Sequence, residues 1–524
     1  MKKYIFTAVC VTASIVSFAQ KNDATLNNVT ETYTLNPDGS INYDYSKSMT
    51  FHTHHSFFSL FGETFVVYNP EYQKLIINEC KTTQKDGTII KAPANAFNEV
   101  LPSGAADSKD YNGLREMVIT HTGLEPDCTV DLSYTISGTP DGCPTLDIDK
   151  IIPMQGANIK EYNIIVNVPQ GTKLDWSVTD SNVKPVISGN TYKWTFRNIP
   201  AAAGDSYAPA SHNGQPRISV TTAGSLEEAL RPLTVETMDI CEVPSQILEG
   251  KNTSDEKAEA IQKFIVENIA TGNVVPELTG YGFRQCASVL ESAFGTPAEK
   301  ALAMARLMRS AGLDAQVVVA FPKNLKTRNI KNISQYLVKA GDKFYGVNKT
   351  GIYDAEYHAD RDDIVDLAGN PVSIILSPLT IDNNVAVELS VKDGEVKTDE
   401  GSVAKRGSYW VYTIPESKKG IDSWGIKQLN SHRSDWFELR SPITESDCFT
   451  IKLDGLKSLT KNSDINLENE VGCIHLSIEN NGTEVILRRE IKLNKSIYSP
   501  AEYPLVRKLL LDWYSPAYRR IVLK

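Results

Sequence analysis

The sequence predicts a multidomain α+β protein in three parts: an N-terminal antiparallel β-sandwich, a central α+β domain and a small C-terminal β-sandwich. Three observations lead there. Apolar residues alternate with period two up to about Val220, the period becomes helical near residue 250, and alternation returns after about residue 380. At 524 residues the chain is also too long for a single hydrophobic core.

The first residues read as an export signal over 1–19. Lys2 and Lys3 form a basic start, Tyr4 to Phe18 is almost wholly uncharged, and Ser17-Phe18-Ala19 offers small residues where a signal peptidase reads. The apolar run is shorter than the ~20 residues a membrane span needs. Cys10 lies too deep in it to serve as a lipid-anchor cysteine. An exported protein, periplasmic or held at the cell surface, is therefore expected, with no transmembrane segment after cleavage. The formal charge of −10 becomes −12 when Lys2 and Lys3 leave, which argues against a nucleic-acid partner.

In the first domain, expected over 20–232, Val29 to Leu35 alternates, Asn36-Pro37-Asp38-Gly39 makes a turn, and Ile41, Tyr43 and Tyr45 resume on one face. The same pattern recurs at Cys128 to Ile136, Ile164 to Val168 and Tyr192 to Phe196. Ala201 to Gly214 reads as a loop.

The second domain, expected over 233–382, opens on a capping box at Thr253-Ser254-Asp255-Glu256, followed by Ala258, Ile261, Ile265 and Ile269 at helical spacing. A second helix starts at Thr296-Pro297-Ala298-Glu299, where a capping residue, a proline at the first helical position and a Glu at the third coincide. Ala301, Met304, Ala305 and Met308 give it a buried face and Gly312 ends it. Strands are expected at Ala315 to Phe321, Tyr336 to Val338 and Phe344 to Val347. The third domain, 383–524, shows strands around Val385 to Val391, Trp410 to Ile414 and Val485 to Leu493, then a helix from about Leu505 to Trp513.

Several strings in this order resemble a family of exported bacterial proteins that carry a domain of unknown function 3857, a transglutaminase-like (papain-like fold) domain and a domain of unknown function 3858. YQKLIINECKTTQKDGTIIKAPANAFNEV and LREMVITHTGLEPDCTVDLSYTISG are similar to the first of these. GTPAEKALAMARLMRSAGLDAQVVVAF is similar to the transglutaminase core helix and its strand, and IYSPAEYPLVRKLLLDW to the closing segment of the third.

Active members of that fold place a cysteine at the start of the core helix, where backbone N–H groups and the helix dipole favour a thiolate. A histidine on the next strand moves the proton and an Asp orients it. Aligned on Gly295, the cysteine position holds Pro297, Gln335 matches the histidine and Asn348 the orienting Asp. The resemblance thus implies a degenerate triad, no catalytic residue, no cofactor and no metal. Its expected role is a non-catalytic binding or assembly module of the cell envelope for a peptide, glycan or protein partner. Between about 235 and 380 the only cysteines are Cys241 and Cys286 and the only histidine is His358, so an alternative enzyme, a cysteine peptidase or amidase, would have to use Cys286 with His358. A purely structural envelope protein is the third class. Thr296 reads as a helix cap before it reads as a nucleophile.

Other features have competing readings. His52 and His54 would share a face of a strand and could ligate zinc, or simply be exposed. Phe57, Phe58, Phe61 and Phe65 read as sheet core first, and as an exposed carbohydrate-binding patch second. Lys323 to Lys331 reads as a solvated basic loop that could border the old cleft. Seven cysteines follow the leader; Cys128 with Cys143, or Cys448 with Cys473, could be bridged, with buried free thiols the default.

Overall fold

A computed structural model describes residues 22–106, 108–153, 156–202, 205–209, 214–234, 241–351, 361–372, 379–426 and 428–524. The expected export signal and His358 lie outside them.

The first domain is built on an eight-stranded sheet in the spatial order Val186–Ser188, Thr191–Ile199, Ala157–Asn167, Ala24–Leu35, Ile41–Phe51, Thr129–Gly138, Gln73–Thr83, Ile89–Lys91. Ala24–Leu35 and Ile41–Phe51 form the expected hairpin, turned by Gly39 at φ +89°, where a side chain would be strained. One pairing departs from the antiparallel expectation: Ala24–Leu35 runs parallel to Ala157–Asn167. Parallel neighbours need a long connection, which alternation alone does not reveal. Two three-stranded sheets cover the large one. Ile148, Ile218 and Val220 of one meet Leu26, Trp194 and Phe196. Val66 and Ile119 of the other meet Leu132 and Tyr134.

The central domain packs a core helix, Pro297–Ser310, on an antiparallel sheet ordered Lys343–Gly346, Gln335–Ala340, Ala315–Pro322, Asp362–Asp366. Met304 and Met308 bury against Val317, Val338 and Tyr345, as the helical spacing demands. The helix Ser254–Asn268 lies against the core helix and carries the expected capping box at Thr253 and Glu256. Its Gln262, 1% exposed, donates to the carbonyls of Gly346, Lys349 and Gly351, which fixes the turn carrying Asn348.

The third domain combines a six-stranded sheet, again with one parallel pair, Leu379–Lys392 beside Ile443–Asp454, with a three-stranded sheet of Ser402–Arg406, Tyr409–Thr413 and Arg520–Leu523 and a two-stranded one of Phe437–Glu438 and Ile497–Tyr498. The closing helix, Tyr503–Trp513, packs its Val506, Leu509, Leu510 and Trp513 on the sheet, and Pro504 sits in its first turn, where no intrahelical bond is lost. No helix among the described residues is long and apolar enough to cross a membrane.

Candidate functional site

The site forms where the core helix begins. Thr296 is the N-cap: its Oγ1 accepts from the Glu299 N–H at 3.3 Å and the Glu299 carboxylate accepts from the Thr296 N–H at 2.9 Å. The hydroxyl is thereby occupied as a cap. Glu299 is 1% exposed. Burial alone would raise its pKa, but hydrogen bonds from Arg284, from the Tyr111 hydroxyl at 2.6 Å and from the Thr296 backbone hold the carboxyl below its ordinary value. Tyr111 belongs to the first domain, so that domain helps to fix the helix start. Lys300, also 1% exposed, gives its ammonium to the Ile269 carbonyl and the Thr271 hydroxyl, both at 2.8 Å, and burial pushes its pKa down to about 8.

Above Pro297 lies an open cleft of about 420 Å³. Pro297 and Ala298 form one wall, Ile333 and Tyr336 another, and Gly272 to Thr279 a third; Tyr111 and Asp149 of the first domain complete it. No cysteine or histidine is among the described residues that line this space. Its ionisable groups are already committed. Lys331 pairs with Glu277 at 3.0 Å, and that carboxylate outweighs the effect of burial and raises the lysine pKa. Asp149 is gripped by two 2.7 Å bonds from Arg217. Burial, then the Glu277 charge, pushes the Tyr336 phenol well up; burial, then Glu299, does the same for Tyr111. Both phenols stay neutral near neutral pH and neither is a base.

Of the three positions matched by resemblance, only Pro297 lines the cleft. Gln335 is exposed and pairs with Ala320 on the sheet face turned away from the core helix. The residue of that strand that faces the cleft is its neighbour, Tyr336. Asn348 is exposed and accepts from Thr271 Oγ1 at 3.1 Å, extending a chain that starts at the Lys300 ammonium.

Cys286 is not the buried free thiol expected. It is 4% exposed and bridged to Cys241, with Cα atoms 6.1 Å apart. Its sulfur therefore carries no thiol to ionise, which removes the nucleophile from the Cys286–His358 alternative. Cys80, Cys128, Cys143, Cys448 and Cys473 are free.

Several surrounding features also differ from expectation. His52 lies just past the strand that ends at Phe51 and bonds to Thr25 at 2.8 Å and Asp127 at 3.4 Å, whereas His54 lies on the following helical turn and stacks on Phe58, so the two share no strand face. No cluster of three potential metal ligands occurs among the described residues. Phe57 is core, but Phe58 is 79% and Phe65 57% exposed. The basic stretch is solvated at Lys323 and Lys326 and borders the cleft at Lys331, as expected, but it is docked elsewhere: Asn329 donates to the carbonyls of Ile148 and Val220, and Arg328 pairs with Asp363. Sequence patterns gave no sign of Tyr111, of the Arg284–Glu299 pair or of the Lys331–Glu277 pair, since each joins residues far apart in the chain.

Family comparison matches residues 37–203 to the domain of unknown function DUF3857, 242–359 to the transglutaminase-like superfamily and 409–523 to the domain of unknown function DUF3858. A crystal structure described as a putative protease from Parabacteroides distasonis is 32% identical, covers 96% of this chain and 99% of its own, and superposes with a TM-score of 0.81. A nutrient-binding-type protein described as putative from Legionella pneumophila (8% identity, 50% of this chain and 84% of that one) reaches a TM-score of 0.18. An M1 zinc metallopeptidase mutant from Deinococcus radiodurans (9% identity, 55% and 64%) reaches 0.20. Likeness at that level carries no argument. Comparison with functionally curated proteins finds no similar chain.

Proposed function

Because the chain belongs to the family that joins a DUF3857 domain, a transglutaminase-like core and a DUF3858 domain in that order, we propose that it is a non-catalytic member, exported to the cell envelope, whose cleft binds a peptide partner. One observation carries this reading: an open space of about 420 Å³ stands over Pro297, at the helix start where acyl transfer on this fold requires an ionisable sulfur. A space packed with side chains would have favoured a purely structural scaffold. An open one favours recognition, with apolar walls for side chains and a few fixed polar groups for orientation.

The relative described as a putative protease favours a second reading, an enzyme. Against it stand the pyrrolidine at the nucleophile position and the bridge that consumes the Cys286 sulfur. Neither Gln335, an amide, nor the high-pKa phenol of Tyr336 supplies a base near neutral pH.

Panning a random peptide library on the mature chain tests the binding role. Selected peptides should lose at least tenfold in affinity for N273W, which places an indole at the exposed rim of the cleft. Peptides that bind N273W equally well, or a library that yields no binders, contradict the proposal.

A further inference from the structure

A second cavity, of about 290 Å³, lies behind the cleft, between the first and central domains, and the family resemblance assigns it nothing. Domain interfaces are favoured places for ligand sites, and this volume suits a small metabolite rather than a drug-sized molecule. Four tyrosines, Tyr33, Tyr43, Tyr72 and Tyr281, line it from both domains. So do three charged side chains: Asp147, Glu277 and Lys331.

The charges do not cancel. Two carboxylates face one ammonium, and Lys331 is already paired with Glu277. Asp147 is 5% exposed and is held by neutral donors: Thr221 at 2.5 Å, Thr145 at 2.7 Å and Tyr281 at 2.8 Å. The Cys143 thiol in the wall stays neutral, since burial and then the Glu277 charge push its pKa up to about 12. Beneath Tyr33, Glu31 is balanced by Lys150 at 2.6 Å. One negative charge is thus left over in an aromatic chamber. Of the roughly four lone-pair positions on the Asp147 carboxylate, three are in use, so it offers charge but little room for another N–H donor.

We propose that this interdomain chamber binds a small N-methylated ammonium compound, whose charge complements Asp147 and whose methyl groups pack on the tyrosines. A quaternary ammonium brings a positive charge without N–H groups to satisfy, and aromatic faces attract it through their quadrupoles. A primary ammonium would surrender its hydration for too few acceptors. The inference does not require the peptide reading of the cleft, with which the chamber shares Val275, Glu277 and Lys331 in its walls.

Calorimetric titration of the mature chain with choline, 3,3-dimethyl-1-butanol (its neutral isostere) and ethanolamine tests it. Choline should bind at least tenfold more tightly than either. D147N and E277Q, each checked for native circular dichroism, should each weaken choline binding by at least fivefold. No choline binding, equal affinity for the alcohol, tighter binding of ethanolamine, or full affinity in E277Q would overturn the proposal.

Discussion

A proline at the first position of a helix gives up an N–H that has no intrahelical partner there, so Pro297 preserves the core helix while offering no nucleophile. Putting a thiol back should therefore be tolerated. In P297C the helix N-terminus should lower the cysteine pKa below its ordinary value of about 8.5, and iodoacetamide should alkylate that position in the native protein, as read by peptide mass spectrometry. A native P297C thiol that resists alkylation would mean that the cleft is closed. Glu445, in the third domain, is the other residue with a legible chemical consequence. It is fully buried, its Oε1 has no hydrogen-bond partner among the described residues, and burial, with the charges of Asp447 and Asp422, raises its pKa to about 7 despite the Ile421 N–H at 2.7 Å. A carboxyl that holds its proton more tightly when folded contributes stability that is present below its unfolded pKa of about 4.5 and lost as pH rises through 7. Urea midpoints should thus show a fall between pH 4.5 and 7 that E445Q flattens. An unchanged slope in E445Q would assign the fall elsewhere.

At the scale of elements, the core helix relies on its cap and on a staple. T296A removes the N-cap oxygen and should cost about 1 kcal/mol in urea unfolding. The bridge from Cys241 to Cys286 spans 45 residues of sequence, which enclose the Ser254–Asn268 helix and one wall of the cleft. Chain-entropy reasoning gives a loop of that size about 4 kcal/mol, so C241S/C286S should destabilise the protein far more than T296A. Equal effects would contradict that ordering. These elements also show what could be read in the chain. Both capping boxes, the Gly39 turn and the core-helix face were legible because each is local, set by residues within one or two turns. The parallel strand pairs, the Cys241–Cys286 bridge and the cleft-facing Tyr336 were not, because each depends on which distant segment lies alongside. A strand's period of two makes a one-residue slip exchange Gln335 for Tyr336 and turn the chosen side chain to the opposite face.

Across the whole molecule the first two domains act as one structure. Tyr111 donates to buried Glu299, Arg284 reaches Asp110 at 2.5 Å, Tyr281 donates to Asp147, and Asn69 and Tyr72 both donate to the Leu278 carbonyl. Hydrogen bonds to buried charged groups contribute about 1.5–3 kcal/mol each. Y111F should therefore lower the stability of the central domain as well as the first, with both sets of amide exchange rates rising together; a rise confined to the first domain would argue against this coupling. Tyr111 lines the cleft, and Tyr72, Asp147, Leu278 and Tyr281 line the chamber, so each proposed binding space draws on both domains. The proposed loss of acyl-transfer chemistry sits at the start of the core helix, at Pro297. Its most direct measurement is turnover: the purified mature chain incubated with a mixed peptide library and a primary amine, with hydrolysed and crosslinked products counted by mass spectrometry. The proposal predicts no product above a protein-free control. Product formed by the wild-type chain above that control would contradict it.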